Sequence, residues 1–383
     1  MNWNTRKLRC IKAVVLPVLG MTAIVSCGRS PATISVDSPT YTPTASVEAV
    51  PSPATPMPSV MIAAIRLGNG SVYAAHVAVN PLTNRVYAVD GSGRVSVIDG
   101  ETDTLVATVT VGSGPTGIAV NPRTNRVYVA SPESKTVSVI DGDTKSVTAT
   151  IAVGTNPVDV TVDQARNRIY VPEYNGNVSV IDGDIETIVG TIMVGWSFLY
   201  HGTTYTAEVH YNPLAAAVNP ATNRIYAIEQ GRQGASEISV VDPEASTVTT
   251  RLGVGQDVFR LAVNPATNRI YVANCSGRHE VWVLDGGTNT VVAKVPIKFG
   301  PCDVAVDTVM NRIYTINACY PAGGKGSISA IDGDTNTVLA TIPVDFAPQT
   351  LAVNSETHRI YVTNSTGDTL FVFAGESLPI SPQ

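Results

Sequence analysis

One pattern occurs seven times between Val77 and Val362: a short apolar strand, a turn, and then Asn-Arg followed by Ile or Val and Tyr, with His replacing Asn in the last copy. The copies read VAVNPLTNRVYAV from Val77, IAVNPRTNRVYVA from Ile118, VTVDQARNRIYVP from Val160, AAVNPATNRIYAI from Ala216, LAVNPATNRIYVA from Leu261, VAVDTVMNRIYTI from Val304 and LAVNSETHRIYVT from Leu351. A period of about 40 residues with four short strands per repeat is typical of a β-propeller. We therefore predict an all-β fold, a seven-bladed β-propeller with four-stranded antiparallel blades.

The second copy shows how one blade is built. Gly117–Asn121 and Arg126–Ala130 are predicted strands joined by a polar turn, and Thr136–Ile140 and Val147–Val153 follow as a hairpin. Asp141-Gly142 separates the last two strands, and Asp-Gly between apolar runs is a strong hairpin signal. Similar turns recur in other blades, with Asp242-Pro243 as the deviation. We interpret these acidic residues as turn formers, because each turn has too few carboxylates for the six or so oxygens of a calcium site.

The ends of the repeat region predict how the ring closes. The seventh copy has only three strands, and its missing outer strand is found at the other end of the chain, where MIAAIRLGNG (Met61–Gly70) matches LVATVTVGSG (Leu105–Gly114). We therefore expect the N-terminal strand to complete the last blade, which removes an open sheet edge. The predicted propeller spans residues 59–376, and residues 377–383 form a C-terminal tail.

The repeats resemble the YVTN-type β-propeller family. Tyr361–Asn364 reads Tyr-Val-Thr-Asn, and Tyr128–Ser131 and Tyr271–Asn274 are close variants. The resemblance covers roughly residues 60–374 and implies the seven-bladed fold, in a bacterial envelope lipoprotein. It implies no catalytic residue, because the shared motif is scaffold. Members of the family include surface-layer and envelope proteins, accessory propellers of redox complexes, and a periplasmic protein linked to DNA.

The N-terminal region predicts export and membrane attachment. Four basic residues precede an apolar run from Ala13 to Val25, as in a secretory signal. The run ends in Ile24-Val25-Ser26-Cys27, which resembles a bacterial lipobox with Ile in place of the usual Leu. We predict a lipoprotein signal peptide at 1–26, lipidation at Cys27, and an extracytoplasmic protein anchored to the cell membrane. The alternative is a simple cleaved signal with a chance cysteine. Residues 27–58 are rich in Pro, Ser and Thr and are predicted to be a disordered tether.

Blade three carries an insertion. The repeated arginines are 41 residues apart from Arg85 to Arg126 and 42 from Arg126 to Arg168, but 56 from Arg168 to Arg224. In propeller topology this insertion is a crossover between blades and lies on the face that we call the top. The candidate partner-binding residues in it are Trp196, Phe198, Tyr200, His201, Tyr205, His210 and Tyr211. The alternative is a self-packed lid that binds nothing.

The inner strands predict a polar ring at the top of the central channel. His76, Asp159, Arg260 and Asp303 open four of these strands and could form a funnel for a small ligand. The alternative is a solvated mouth with an Arg–Asp pair. A metal site combining His76 with the insertion's His201, Glu208 and His210 matches no established ligand spacing, so no metal is predicted.

Three cysteines remain in the predicted propeller, all on the top face. We expect a disulfide between Cys302 and either Cys275 or Cys319, because an exported protein folds in an oxidising environment. No cofactor-binding motif is present, so no cofactor is predicted.

A net charge of −6 argues against non-specific nucleic-acid binding, which requires a basic surface. The leading hypothesis is a lipid-anchored, monomeric binding or scaffold module whose top face docks an envelope protein or a glycan. The alternative is a lyase, a hydrolase or a redox-complex accessory subunit that uses the polar funnel. Single-stranded DNA binding, suggested by the family resemblance alone, is third.

Overall fold

The computed structural model describes residues 60–68, 74–201, 206–231, 234–275, 279–319 and 325–377. Within these ranges, residues 74–75, 196–201, 206–211 and 319 are described by their backbone alone. In the described ranges no helix is both long enough and apolar enough to cross a membrane.

The chain forms seven antiparallel sheets arranged as a β-propeller, which confirms the predicted fold. From the innermost strand outward, blade 1 contains β2 (Ala74–Asn80), β3 (Arg85–Asp90), β4 (Arg94–Asp99) and β5 (Thr104–Thr110), and blade 2 contains β6 (Gly117–Asn121), β7 (Arg126–Ser131), β8 (Thr136–Asp141) and β9 (Ser146–Ala152). Blade 3 contains β10 (Thr161–Asp163), β11 (Arg168–Glu173), β12 (Asn177–Asp182) and β13 (Thr187–Met193). Blade 4 has the usual four strands, β15 (Thr206–Asn219), β16 (Arg224–Gln230), β17 (Ala235–Asp242) and β18 (Thr247–Gln256), and a fifth, β14 (Trp196–His201), that pairs with the first part of β15.

The remaining blades follow the same plan. Blade 5 contains β19 (Val258–Asn264), β20 (Arg269–Asn274), β21 (Glu280–Asp285) and β22 (Thr290–Pro296), and blade 6 contains β23 (Gly300–Asp307), β24 (Arg312–Cys319), β25 (Gly326–Asp332) and β26 (Val338–Val344). Blade 7 contains β27 (Pro348–Asn354), β28 (Arg359–Asn364), β29 (Thr369–Ala374) and β1 (Met61–Arg66). Its fourth strand therefore comes from the other end of the repeat region, as predicted.

Closure of the ring is an antiparallel pairing of β1 with β29. Ile65 lies opposite Leu370 in the register. Backbone hydrogen bonds continue beyond both ends of the pair, from Ala374 N to Val60 O at 2.9 Å and from Leu67 N to Asp368 O at 2.8 Å. The pairing gives β29 a neighbour on its outer side and joins residues about 300 positions apart in sequence.

The repeated turn before each Arg depends on a left-handed backbone. The residue preceding that Arg has a positive φ of 48–54° in all seven blades: Asn84, Asn125, Asn167, Asn223, Asn268, Asn311 and His358. Asn tolerates this conformation better than other non-glycine residues, because its short side chain hydrogen-bonds locally. The conformation explains why six of the seven copies have Asn there.

The acidic turns are held by ion pairs and backbone amides. Arg85 Nη1 pairs with Asp99 Oδ2 at 2.7 Å, from directly opposite positions on β3 and β4. The other oxygen of Asp99 accepts the N–H groups of Glu101 at 2.9 Å and Thr102 at 3.1 Å. The same Arg–Asp pairing recurs in blades 2 to 5: Arg126–Asp141, Arg168–Asp182, Arg224–Asp242 and Arg269–Asp285. These Asp residues thus have the turn-forming role that the sequence predicted.

A chain of side-chain amides joins neighbouring blades on the bottom face, which is opposite the top and contains the turns within the two hairpins of each blade. In each link, Nδ2 of an Asn that ends an inner strand donates to Oδ1 of the turn Asn of the next blade, at 2.7–2.9 Å: Asn80–Asn125, Asn121–Asn167, Asn219–Asn268, Asn264–Asn311 and Asn354–Asn84. Between blades 6 and 7 both partners are replaced, and His358 Nδ1 lies 2.7 Å from Asp307 Oδ2. Two coordinated substitutions therefore preserve this link.

The blade 3–4 junction departs from this plan. Asp163 pairs with Arg166 of its own turn at 3.1 Å, and Asn223 Oδ1 has no hydrogen-bond donor among the described residues. The turn of blade 4 has Pro243 where other blades have Gly. A cavity of about 340 Å³ lies at this junction, lined in part by Tyr170, Asn223 and Pro243.

The core lies between blades and is built on the repeated Tyr. All seven of these side chains are at most 2% exposed: Tyr87, Tyr128, Tyr170, Tyr226, Tyr271, Tyr314 and Tyr361. Tyr226 Oη donates to Asn289 Oδ1 of the next blade at 3.2 Å. At the ring closure, a Cβ added to Gly100 would lie 2.9 Å from Tyr361 Oη. Asn84 Oδ1 would lie closer still, at 2.5 Å, so this glycine leaves room for the turn Asn of its own blade as well as for Tyr361.

Candidate functional site

The insertion that the sequence placed in blade three is a β-hairpin, and it belongs to the sheet of blade 4. β14 pairs with the first part of β15, with Trp196 opposite Tyr211 and His201 opposite Thr206. From Asn212 onward the same β15 pairs with β16 as the innermost strand of blade 4. The hairpin is therefore a continuous extension of a propeller strand rather than a separate loop.

Most predicted partner-binding residues lie on this hairpin. Trp196, Phe198, Tyr200 and His201 are on β14, and His210 and Tyr211 are on β15. Tyr205 lies outside the described residues. By register, positions 196, 198 and 200 are opposite 211, 209 and 207, so these six positions fall on one side of the pleated hairpin. The side chains of the hairpin are not described, so its contacts stay a prediction.

An arginine of blade 4 holds the root of the hairpin. Arg251 Nη2 donates to the carbonyl of Val194, two residues before β14, at 2.7 Å. Its Nη1 donates to Glu229 Oε2 at 2.8 Å and to Ser239 Oγ at 2.7 Å. Glu229 is fully buried. Burial raises the pKa of Glu229 to about 7, although the bonds from Ser239 and Arg251 act in the opposite direction. The insertion therefore begins at a fixed point.

A cavity of about 420 Å³ opens at the top of the central channel. Six of its lining residues come from six different blades: Thr116, Val158, Leu214, Phe259, Cys302 and Gln349. His76 of blade 1, Arg260 and Thr350 complete the lining. All seven blades therefore contribute to this cavity, and Leu214 belongs to β15, the strand that carries the hairpin.

Arg260 crosses the channel. Its Nη2 lies 3.3 Å from both ring nitrogens of His76, on blade 1, and its Nη1 lies 3.8 Å from Asp159 Oδ2, on blade 3. Burial, and next the nearby guanidinium, lower the pKa of His76 well below its usual range. A neutral His76 can accept a hydrogen bond from Arg260. The structure thus brings three of the four predicted ring residues into one cluster.

The two predicted ring carboxylates connect blades. Asp303 Oδ1 accepts the N–H of Val304 and its Oδ2 accepts the N–H of Leu351 in blade 7, both at 2.9 Å. Asp159 accepts the N–H of Val160 at 2.9 Å and hydrogen-bonds the backbone of Ala216 in blade 4. Burial raises the pKa of Asp303 to about 6, against the effect of Arg260. Neither Asp lines the cavity.

In six blades, a residue that lines the cavity is one position before the predicted start of the inner strand, where the sequence places the polar ring. Thr116, Val158, Leu214, Phe259, Cys302 and Gln349 each precede by one residue a position that begins an inner strand in the repeat alignment. Strand alternation sends successive side chains to opposite sides, so a shift of one residue changes which side chains face the channel. The cavity could have been found from the residue just before these predicted positions, because its type varies from blade to blade.

The cysteines differ from the prediction. Cys275 is disulfide-bonded. Cys302 is present as a thiol, whose Sγ donates to the carbonyl of Ile316 at 3.6 Å. The predicted bridge with Cys302 is therefore wrong. Cys302 lies on β23 and lines the cavity, and Cys275 is buried directly after β20. The side chain of Cys319 lies outside the described part.

The described residues contain no group of three or more His, Cys, Asp and Glu side chains placed to hold a metal ion. Glu208, His201 and His210 have undescribed side chains, so the structure does not test a site that uses them.

Comparisons with known proteins show the fold. Neither a family model nor a curated protein matches the sequence. The chain is similar to a solved structure, hydrazine synthase of Kuenenia stuttgartiensis, with a TM-score of 0.64 and 17% sequence identity, over 79% of this chain and 95% of that chain. At this identity the likeness extends to the propeller alone. The YVTN resemblance stays a prediction.

Proposed function

We propose that this chain is an extracytoplasmic binding module, held at a membrane by lipid on Cys27, whose top face docks an envelope protein or a glycan. The observation that carries the proposal is the continuity of β15, which runs from the hairpin into the inner wall of blade 4. An extension of a propeller strand is braced by the sheet from which it grows, and a braced surface loses little entropy on binding.

The composition of the hairpin supports docking. Trp196, Phe198, Tyr200 and Tyr211 are concentrated in a segment of 16 residues, in a chain with only 6% aromatic residues. Trp and Tyr are enriched at the centres of protein interfaces, because they bury a large area while keeping a polar group. Arg251 fixes the start of this segment through Val194 O. A rigid aromatic projection is suited to recognition.

The catalytic alternative has less support. Asp159 and Asp303 accept backbone N–H groups, so their geometry is that of structural carboxylates joining blades. A general base must instead reach a substrate proton. The likeness to hydrazine synthase is at 17% identity and supports no shared chemistry. Single-stranded DNA binding is disfavoured by the charge of −6.

The test is crosslinked capture from native membranes. The variant replaces residues 197–210 with a short Gly-Ser turn, which leaves Arg251 and its contact with Val194 in place. A matched control, Arg123→Ala, removes an exposed bottom-face side chain that donates to Gln164 O and Ala165 O at 3.1 Å. We expect a partner captured by the wild type and the control to be lost from the hairpin variant, with unchanged circular dichroism. Equal capture by all three proteins would refute docking through the hairpin.

Membrane attachment is tested separately. A Cys27→Ser variant is expected to leave the membrane fraction, and mass spectrometry of the wild type is expected to show acylation at Cys27. A wild-type N-terminus without lipid would remove this part of the proposal and leave the docking surface unaffected.

A further inference from the structure

Among the described residues that line the cavity at the channel mouth there is one cation and no carboxylate. Arg260 is the charged side chain there, and His76 beside it is neutral. Asp159 and Asp303 are not lining residues, and backbone N–H groups occupy their oxygens. A molecule in the cavity can therefore contact the guanidinium, whereas neither carboxylate is among the lining residues.

The guanidinium is held in place but keeps donors available. The Nη2 contact with His76 and the pair with Asp159 fix it from two sides of the channel. Nη1 donates to the carbonyl of Phe259 at 3.4 Å. Its distance of 3.8 Å to Asp159 Oδ2 is too long for a hydrogen bond, so this Asp attracts the cation without accepting its N–H groups. Guanidinium donors are arranged to bind a carboxylate in a bidentate manner.

A second polar group lies on the blade 7 side. Gln349 lines the cavity, and its Oε1 is buried without a hydrogen-bond donor among the described residues. A buried acceptor without a donor is costly, and rotation of the Gln349 amide into the cavity, toward a ligand N–H or O–H, would satisfy this oxygen. Val158, Leu214 and Phe259 supply apolar wall.

We propose that this cavity binds a small organic monocarboxylate, with the carboxylate on Arg260, an N–H or O–H of the ligand on Gln349 Oε1, and an apolar part against Phe259 and Leu214. A volume of about 420 Å³ is within the range of small-molecule sites, which also combine apolar walls with a few polar groups. All seven blades line the site, and its assignment does not rest on the proposed docking function.

The experiment measures binding of hippurate, N-benzoylglycine, to the full chain in detergent by titration calorimetry. Hippurate has a carboxylate, an amide N–H and an apolar ring, whereas N-benzoylglycinamide keeps the last two and is uncharged. We expect the amide to bind about tenfold more weakly than hippurate, because it lacks the charge-assisted bonds to Arg260. Equal affinities for the two probes, or no binding of hippurate at millimolar concentration, would overturn the proposal.

Variants then assign the contacts. Arg260→Met keeps the length of the side chain and is expected to weaken hippurate binding about tenfold or more, while Arg123→Met on the bottom face leaves it unchanged. Gln349→Met is expected to weaken it about fivefold, and it decides the outcome if Arg260→Met does not fold. Hippurate affinity unchanged in Gln349→Met and in a folded Arg260→Met would place the ligand elsewhere and refute the assignment.

Discussion

The bottom and top faces of this propeller use the same repeat in opposite ways. On the bottom, Asn–Asn links, Arg–Asp pairs and buried Tyr side chains recur from blade to blade, and even the His358–Asp307 replacement keeps its link. On the top, each blade contributes a different residue to the cavity, and one blade carries a hairpin. We therefore expect stability to depend chiefly on the regular bottom face, which leaves the top face free to diverge.

The largest expected effect separates the two faces by stability. Tyr314→Ala empties a fully buried site between blades 6 and 7 and is expected to lower the free energy of unfolding by about 4 kcal/mol. Phe259→Ala removes a half-buried ring that lines the top cavity, and we expect a loss below about 1 kcal/mol. Equilibrium urea unfolding measures both. Equal losses of unfolding free energy in the two variants would contradict the proposed difference between the faces.

The next effect is the pH dependence at the root of the hairpin. Burial raises the pKa of Glu229 to about 7, well above its ordinary value, so the folded state holds this proton more tightly than the unfolded state. The resulting stabilisation is full below the ordinary pKa and is lost as pH rises through about 7. Glu237 acts in the same direction as burial, and Ser239 and Arg251 act against it.

A Glu229→Gln variant should remove this dependence. Between about pH 5 and pH 8, we expect the free energy of unfolding of the wild type to fall by about 2 kcal/mol more than that of the variant. Thermal unfolding at several pH values measures the difference. Parallel pH profiles for the two proteins would show that Glu229 titrates in its ordinary range.

The smallest effect concerns the replaced link on the bottom face. Asp307→Ala, His358→Ala and the double variant form a mutant cycle across the blade 6–7 junction. We expect a coupling of about 1 kcal/mol, because the two side chains are 2.7 Å apart and replace an Asn–Asn bond. A coupling energy of zero would mean that the His358–Asp307 contact does not contribute to stability, although it continues the pattern of links on the bottom face.

The difference between the regular bottom face and the variable top face also explains how much of the structure could be predicted from the sequence. The fold was predictable because the bottom-face residues repeat, and a repeated Asn at a left-handed turn or a Gly beside a buried Tyr is visible in the copies themselves. The cavity was only partly predictable. His76 and Arg260 were found, but Gln349 and Phe259 were missed because they lie just outside the alignment and share no residue type. The blade-joining role of Asp159 and Asp303 was missed because one backbone partner of each, Ala216 and Leu351, lies on the next blade.

The closing pair of strands also sets an order of events. Among the described strands, β1 emerges first during synthesis and its partner β29 emerges last, so β1 has no neighbouring strand until β29 has been made. Gln349 and Thr350, on one wall of the channel mouth, belong to the blade that is completed last. The mouth can therefore take shape only after blade 7 has been synthesised, and a product truncated before Gln349 lacks this wall of the site.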